Sequence, residues 1–444
     1  MESSGKRQKK VSVGKQIDRL SGLPDDVLIH ILSFLPTKLS VSTSILARRW
    51  RFLWAHVPNL DFDSQTHNTE RSFADIINRV IMLRKVQSIN TFRICCSDNC
   101  RVYKLETWLA TAVAHNVQTL DLRFDYHVMF PRCIFTCETL VDLRFRGFLG
   151  YFSPGDIIRL TSLKKLHLTF DKYWYCDRNL PHLLSGCPVL EELIIDGVVD
   201  QYKHKYIISS PSIKRLMLNF QCNTYDSQSC AYRLVITAPS LRYFQLIDCF
   251  PGYILCERLS SLIEADVSFN NCKVVGEDYS YTLSVLGKLD VVSNVKSLKL
   301  SSGIVFNLSA FGDRSISFDN LTKLELDAHW LILTKFLEIA NNLQVIILRK
   351  VDTRLKHWME PKQVPKCLIS HLTIIRIDGM GRTKQEFDMV RYLLRNALVL
   401  KKMEIFSGPN AIDFKQNLMR SREFLRFSVD LWHVSLLSFE IVWG

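Results

Sequence analysis

The sequence predicts an α/β protein in which a short helical unit precedes a long solenoid of stacked parallel strands. Two observations support this prediction. An apolar pattern of the form L-x-x-L-x-L recurs twelve times between Val117 and Ile405, and successive copies begin 21 to 33 residues apart. In addition, the 444 residues are 47% hydrophobic with only 17 Gly and 13 Pro, a balance that can bury a large core and excludes a mainly disordered chain.

The repeat is tested by the residues that lie between its apolar positions. Side chains of a strand alternate between two faces, so the third, fifth and seventh residues of each copy should face solvent. Of these 36 residues 28 are polar and 8 apolar, whereas the overall composition would place about 17 apolar residues there. Most spacings also fall in the ~20–29 residues of a leucine-rich repeat. The copies begin at Val117, Leu140, Leu163, Leu190, Ile213, Leu241, Leu262, Val295, Leu321, Leu343, Leu372 and Leu400.

A repeat of one strand and one return segment is too small to bury its own apolar face, so the units must stack. Stacking leaves a polar sheet face of the kind that solenoids use to bind other macromolecules, although a face that is merely solvated is the simpler interpretation for any single residue. We expect the target-binding surface to include side chains of three neighbouring copies: Arg144, Arg146, Lys165, His167, Glu192 and Asp196.

The helical unit spans residues 18–63. Pro24 suits the first position of a helix, and Asp25 and Asp26 complement the positive end of its dipole. Apolar residues at helical spacing predict one helix up to Leu35, a second over Leu39–Leu46 and a third over Ala47–Trp54. A unit this short buries little surface. Its apolar residues therefore either pack on the first repeats or form a docking surface, which would require Trp50 and Trp54 to be exposed.

Three stretches of this unit resemble an F-box: Leu23–Asp26, Ile31–Lys38 and Arg48–Trp54. The stretch from Val57 to Asp63 is similar to the V-P-x-L-x-F-D that follows the F-box in plant F-box/FBD/LRR-repeat proteins. The resemblance implies a three-helix module that docks on a Skp-type adaptor and, through it, on a cullin-based ubiquitin ligase. By matching position, it implies the adaptor-binding residues Leu23, Pro24, Val27, Leu28, Ile31, Leu32 and Trp50.

The C-terminal part resembles an FBD domain from Trp358 to Ile405, and Lys384–Asn396 predicts an amphipathic helix between the last two repeat strands. The FBD segment is therefore expected to cap the solenoid, and Gly379-x-Gly381 is expected to form a turn. The predicted organisation is a basic disordered tail (1–17), the F-box (18–63), the leucine-rich-repeat solenoid (64–350), the FBD domain continuing it (351–408) and a C-terminal tail without assignment (409–444).

Lys and Arg exceed Asp and Glu by 13, and residues 1–10 supply three of these charges. The first ten residues suit either a nuclear import signal or a solubilising tail, so we expect a nuclear or cytoplasmic protein. The thirteen cysteines are an odd number without a secretory signal, which favours reduced thiols. No phosphate-binding, nucleophile or metal-ligand motif is present, so no catalytic residue, metal or cofactor is expected.

Together with the polar-faced repeats, the resemblance to F-box/FBD/LRR-repeat proteins implies the substrate-recognition subunit of a Skp-cullin-F-box ubiquitin ligase, a non-catalytic protein that would bind the adaptor through the F-box and a target protein through the repeats. We expect no membrane contact and no specific nucleic-acid partner. The alternative is a solenoid scaffold that binds a polyanion or a protein without assembling a ligase. Steep salt dependence of nucleic-acid binding would favour that alternative.

Overall fold

The fold was obtained as a computed structural model. It describes residues 20, 22–66, 70–97, 102–124, 128, 130–147, 153, 155–170, 176–199, 204–222, 232–248, 253–256, 259–269, 279–302, 316–327, 330–349, 358, 360–380 and 384–407. The predicted tails 1–17 and 409–444 lie outside these residues. No helix in the described part of the chain is long and apolar enough to cross a membrane.

The N-terminal unit is a helical module, as predicted, but its first helix ends before Leu35 and its third is a 3₁₀ helix. Helix α1 covers Asp25–Leu32, α2 covers Thr37–Ser42 and continues as a 3₁₀ turn over Thr43–Ile45, and a 3₁₀ helix covers Arg48–His56. Pro24 precedes α1 rather than occupying its first turn. Pro36 restricts the backbone of the preceding residue and precedes α2, which separates the two helices.

One sheet of parallel strands runs through the described part of the chain in sequence order, and this confirms the predicted solenoid. Its first half contains β1 (Asn59–Asp63), β2 (Thr91–Cys96), β3 (Thr119–Phe124), β4 (Asp142–Arg146), β5 (Lys165–Phe170), β6 (Glu192–Val199) and β8 (Arg215–Cys222). Its second half contains β10 (Tyr243–Asp248), β12 (Glu264–Phe269), β13 (Ser297–Ser302), β14 (Lys323–Asp327), β15 (Val345–Arg349), β16 (Ile374–Met380) and β17 (Lys402–Ser407).

The return segments form a second layer. Most are helices: α3 (Glu70–Leu83), α4 (Val102–Ala114), α5 (Cys176–Ser185), α6 (Tyr279–Val291), α7 (Trp330–Ile339), α8 (Lys366–Ser370) and α9 (Lys384–Asn396), with 3₁₀ turns at Ser64–Thr66 and Arg132–Thr136. Three are strands that pair with one another as a second parallel sheet: β7 (His204–Ser209), β9 (Tyr232–Thr237) and β11 (Tyr253–Cys256). The amphipathic helix predicted over Lys384–Asn396 is confirmed as α9.

A single apolar core lies between the two layers and extends from Leu60 to Ile405. The leucine positions of all twelve predicted copies point into it, while the intervening residues face outward. The sheet begins two strands earlier than the sequence analysis placed it. Strands β1 and β2 carry the same pattern with aromatic members, as Val57, Leu60, Phe62 and as Ile89, Phe92, Ile94.

Gly379 lies within β16 rather than in the predicted turn. The pairing of β16 with β17 shifts between Asp378 and Met380, and Gly379 has φ +77° at this bulge. A side chain would strain a backbone in this left-handed region, so the bulge requires glycine. Gly381, the other end of the predicted turn, lies outside the described residues.

A buried polar cluster joins the two kinds of return segment. The Lys288 ammonium of α6 donates a hydrogen bond to the Asp248 carboxylate at the end of β10, and the Tyr232 hydroxyl of β9 donates to the same oxygen over 2.5 Å. All three side chains are at most 2% exposed. Because a buried ion is costly without its partner, the stability of the fold depends on this cluster remaining intact.

We expect Lys288→Met to lower the free energy of unfolding by about 3–5 kcal/mol, because it leaves the Asp248 carboxylate buried without its counter-ion. Lys335→Met is the matched control, since Lys335 of α7 pairs with Glu338 at the surface, where an ion pair contributes about 0–1 kcal/mol. Urea denaturation of both variants measures the difference. Equal losses in the two variants would contradict the assignment.

Candidate protein-binding surfaces

The first candidate surface is the outward side of the helical module. Leu28 and Leu32 are buried, 0% and 1% exposed, and with Trp50, Leu53 and Val57 they form the module's own core. Val27 and Ile31, one position before each, lie on another side of α1 and are 41% and 36% exposed. A helix that is apolar on more than one side is normally covered by protein on each of them. Helix α1 therefore presents an apolar side that the described part of the chain leaves open.

Other parts of the module extend this exposed apolar surface. We call the whole set the module face; it consists of Val27, Ile31, Phe34, Leu35, Leu39, Ile45, Leu46 and Phe52. Phe34 and Phe52 are its aromatic members, 74% and 53% exposed. Exposed apolar groups of this size in one small module are characteristic of a protein-interaction site.

The seven adaptor-binding residues that the F-box resemblance implied fall into an exposed group and a buried group. Pro24, Val27 and Ile31 are exposed, and Leu23 is half-buried against the module's core. Leu28, Leu32 and Trp50 fill that core and are closed to a partner in this conformation. The contact of the exposed residues with an adaptor stays a prediction.

The exposure of Trp50 and Trp54, which the docking interpretation required, is not found, and Trp54 packs on the repeats as the other interpretation expected. Trp50 is 2% exposed, and Trp54 is partly buried against the core of the sheet while its Nε1 donates to the Arg51 carbonyl over 3.1 Å. Phe34 and Phe52 are the exposed aromatic side chains instead. Phe34 lies three residues after Ile31, so helical spacing already grouped it with the exposed side of α1.

The module face is fixed to the end of the sheet by hydrogen bonds. The backbone N–H of Asp61 in β1 donates to the buried Thr37 hydroxyl of α2 over 2.8 Å, and the Asn59 amide donates to the Ser33 carbonyl over 3.1 Å. The Lys85 backbone N–H, just after α3, donates to the Ala55 carbonyl over 3.0 Å. Helix α2 thus covers the edge of the first strand, which would otherwise expose unpaired backbone groups. The orientation of the module relative to the repeats is therefore defined by several independent contacts.

The second candidate surface is the outward face of the large sheet. Because every strand pairs in register with its neighbours, outward side chains form rows across the sheet. Opposite charges alternate along much of the middle row, which reads Asp61, Arg93, Asp121, Arg144, His167, Ile194, Met217, Gln245, Asp266, Lys299, Glu325, Ile347, Arg376 and Glu404.

Ion pairs between and within strands organise this face. Arg93 of β2 lies between Asp61 and Asp121, at 3.1 and 3.6 Å. A hydrogen bond from Lys299 to Asp266 raises the pKa of the lysine, and the hydrogen bond to Asp121 raises the pKa of Arg123. Burial raises the pKa of Asp61, against the lowering effect of Arg93. Partly exposed pairs of this kind contribute little to stability, but they arrange charge on the surface.

The structure brings the six predicted target-binding residues together on β4, β5 and β6. Arg144, Arg146 and Lys165 are exposed, and His167 lies 2.6 Å from the Asp196 carboxylate on the next strand. Glu192 pairs with Arg215 of β8 at 3.3 Å. The six form one continuous area, and their contact with a target stays a prediction.

The eight apolar residues among the 36 outward positions of the twelve predicted copies are not scattered. Four lie on β6, β8 and β10, namely Ile194, Met217, Tyr243 and Ile247, and four lie on β15 to β17, namely Val345, Ile347, Ile374 and Phe406. The sequence analysis counted these residues only as exceptions to a polar pattern. Their placement in the repeat register was the signal that could have revealed two apolar patches.

Neither surface carries the groups of a metal site. Within the described ranges, no three His, Cys, Asp or Glu side chains are close enough to hold a metal ion. Three of the thiols are poor nucleophiles, because burial raises the pKa of Cys133 to about 11, of Cys187 to about 12 and of Cys367 to about 11. Cys133, Cys137, Cys187 and Cys367 are free thiols, as expected, whereas Cys96 is disulfide-bonded, so the prediction of reduced cysteines is wrong at that residue.

We expect Cys133, Cys187 and Cys367 to resist alkylation by iodoacetamide at about pH 8, because the thiolate is the reactive form and burial suppresses it. Peptide mass spectrometry of the native protein measures the labelling of each residue. The urea-unfolded protein is the control and should label fully at the same pH. Labelling of native Cys187 at the unfolded rate would show an accessible thiolate and contradict the assignment.

Comparison with known proteins identifies the class of both surfaces. Residues 20–62 match the F-box domain, residues 105–299 match the leucine-rich repeats of the FBD-associated F-box protein At5g56370, and residues 360–405 match the FBD domain. The helical module is thus an F-box, and the sheet is a leucine-rich-repeat solenoid that ends in an FBD segment.

The full-length relatives agree. The putative FBD-associated F-box protein At5g56440 of Arabidopsis thaliana is 33% identical over 89% of this chain and 94% of its own length. The F-box/FBD/LRR-repeat protein At4g00160 of the same plant is 32% identical over 92% of this chain and 90% of its own length. The chain therefore belongs to the F-box/FBD/LRR-repeat family.

Proposed function

We propose that this protein is a substrate-receptor subunit of a Skp-cullin-F-box ubiquitin ligase. The observation that carries the proposal is an F-box with an exposed apolar face, joined by defined hydrogen bonds to the end of a polar repeat surface. The module face would bind a Skp-type adaptor, and the outward face of the sheet would bind a target protein.

Such a receptor needs no reactive group of its own. Holding a target close to an activated ubiquitin converts a bimolecular encounter into a reaction at high effective concentration. That effect depends on a fixed distance and orientation, which the contacts between α2 and β1 supply. The raised thiol pKa values of Cys133, Cys187 and Cys367 also disfavour a thioester on these residues.

We expect the purified chain to bind a Skp-type adaptor, and Val27→Asp or Phe34→Asp to weaken that binding about 30-fold or more. A buried carboxylate at an apolar anchor costs about 2 kcal/mol or more. Isothermal titration calorimetry measures both affinities. Leu398→Asp is the matched control, since Leu398 is also exposed, at 69%, but lies beyond α9 at the opposite end of the solenoid.

The proposal fails if the chain does not bind the adaptor. It also fails if binding is equally strong after Leu23→Ala and Pro24→Ala, because the F-box resemblance places both residues at the interface. Leu28→Ala and Trp50→Ala are unsuitable for this test, since both side chains belong to the core and their loss unfolds the module.

The alternative, a scaffold that binds a polyanion, is disfavoured by the charges of the sheet face. Acidic and basic side chains alternate toward both ends of the middle row, so a phosphate backbone lying along it would meet the carboxylates of Asp61 and Asp121 at one end and of Asp266 and Glu325 at the other. A surface for single-stranded nucleic acid instead combines clustered Lys and Arg with stacking aromatics.

We therefore expect random single-stranded DNA to bind the chain weakly at about 150 mM salt, with a shallow dependence on salt. Fluorescence anisotropy at several salt concentrations measures that dependence. Tight binding that falls steeply with salt would support the polyanion scaffold. DNA could bind either to the sheet face or to the basic cluster in residues 6–10. The variant Lys165→Glu distinguishes these two sites, since it alters only the sheet face.

A further inference from the structure

Four apolar residues are grouped on three neighbouring strands at the middle of the sheet, and we call them the central patch: Ile194, Met217, Tyr243 and Ile247. Ile194 of β6 and Met217 of β8 are register partners. Strand β10 pairs with the opposite edge of β8, where Ile247 is the register partner of Asn219. All four side chains are partly exposed. An apolar area on a face that is otherwise charged is characteristic of a binding anchor.

Charged and polar side chains beside the central patch are held in place by contacts with its residues and with one another. The Arg215 guanidinium lies 4.2 Å from the Tyr243 ring centroid and pairs with Glu192 at 3.3 Å. Gln245, between Met217 and Asp266 in the register, donates a hydrogen bond to the Asp266 carboxylate over 3.3 Å. Arg215 thus lies over the Tyr243 ring, and the polar groups form a rim beside Ile194, Met217 and Ile247, the arrangement found at interface hot spots.

The two sides of the central patch carry opposite net charge. On β3 to β5, which we call the basic flank, four basic side chains outnumber two acidic ones: Arg123, Arg144, Arg146 and Lys165 against Asp121 and Asp142. On β12 to β14, the acidic flank, four acidic side chains outnumber two basic ones: Glu264, Asp266, Glu325 and Asp327 against Lys299 and Lys323. Within the described ranges, neither Lys165 nor Glu264 takes part in a salt bridge.

We propose that the central patch and its two flanks bind an extended segment of a target polypeptide with acidic residues at one end, apolar residues in the middle and basic residues at the other. This inference rests on the proposed receptor function and specifies the chemistry of its target. Charge complementarity sets the order of the three parts. Phosphate groups of a nucleic acid would be repelled by the acidic flank.

The strand spacing sets the length of the segment. From β4 or β5 to β12 there are four to five intervals of ~4.8 Å, or about 19–24 Å. An extended chain covers this distance in about six to seven residues at ~3.3 Å each, whereas a helix at ~1.5 Å per residue needs about 13 to 16. A peptide of about eleven residues can therefore reach both flanks only in the extended form.

The test uses the full chain and fluorescein-labelled peptides of eleven residues, with three acidic residues, a central Leu-Phe-Leu and three basic residues separated by single glycines. Fluorescence anisotropy measures binding at low salt. One comparison peptide has an all-alanine centre, and two others carry the same charge at both ends. Exchanging the two charged ends is no control, because a peptide can bind in either chain direction. We expect each comparison peptide to bind at least about 10-fold more weakly.

Variants of the protein locate the site. Ile194→Asp and Met217→Asp should each weaken binding of the patterned peptide at least about 10-fold. Ile347→Asp is the matched control, since Ile347 lies in the same row and is also partly exposed, but belongs to the other apolar patch. Arg146→Glu combined with Lys165→Glu should exchange the preference, so that the peptide with two basic ends becomes the better ligand.

Adaptor binding, measured on the same preparations, separates this inference from the proposed function. Adaptor binding with no preference for the patterned peptide, or equal effects of Met217→Asp and Ile347→Asp, overturns the inference and leaves the receptor function standing. Peptide binding that depends on Met217 without adaptor binding supports the site and overturns the ligase role. A urea denaturation midpoint of Met217→Asp equal to that of Ile347→Asp shows that this variant is folded. Binding of random single-stranded DNA that depends on Met217 would overturn the inference in favour of a polyanion.

Discussion

Each repeat has one apolar side that it cannot bury alone, and the in-register pairing of successive strands is what covers it. The inward leucines of one strand, such as Leu120 and Leu122, lie directly beside Leu143 and Phe145 of the next. A slip of one residue would turn every inward side chain outward. The register is therefore strongly determined, and the same constraint orders the opposite face, where no packing requirement acts.

This constraint has consequences at the first end of the sheet and at the back layer. The edge of β1 would expose backbone donors, and helix α2 uses the Thr37 hydroxyl to satisfy one of them. The back layer is freer, since it only has to supply apolar side chains at the right depth. Strands β7, β9 and β11 fulfil this role as well as helices do. The next return helix, α6, is joined to β10 and β9 by the hydrogen bonds that Lys288 and Tyr232 donate to Asp248.

Much of this architecture could be predicted from the sequence because the repeat has two independent periods, about 25 residues along the chain and two within each strand. The inward residues from Val117 onward followed from them. Strand β1 was missed because its residues were assigned to the F-box, and β2 because Ile89, Phe92 and Ile94 include no leucine, although these side chains fill the same space. The back strands were missed because a return segment carries no fixed pattern, and the Gly379 bulge because one residue of shifted pairing leaves no periodic trace.

The adaptor-facing candidates show a different limit. Helix α1 carries two apolar sides with the same spacing of four residues. One side has Val27 and Ile31, and the other has Leu28 and Leu32. Only the position of Trp50, which packs with Leu28 and Leu32, shows which side is the core. The other side, with Val27 and Ile31, is therefore the exposed one, and exposed apolar residues continue at Phe34 and at Leu39 of α2. The burial of Trp50 removes it as the docking anchor that the sequence analysis required. Because Trp50 fills the interior of a very small module, the aliphatic residues of α1 and Phe34 are the groups that a partner can cover instead.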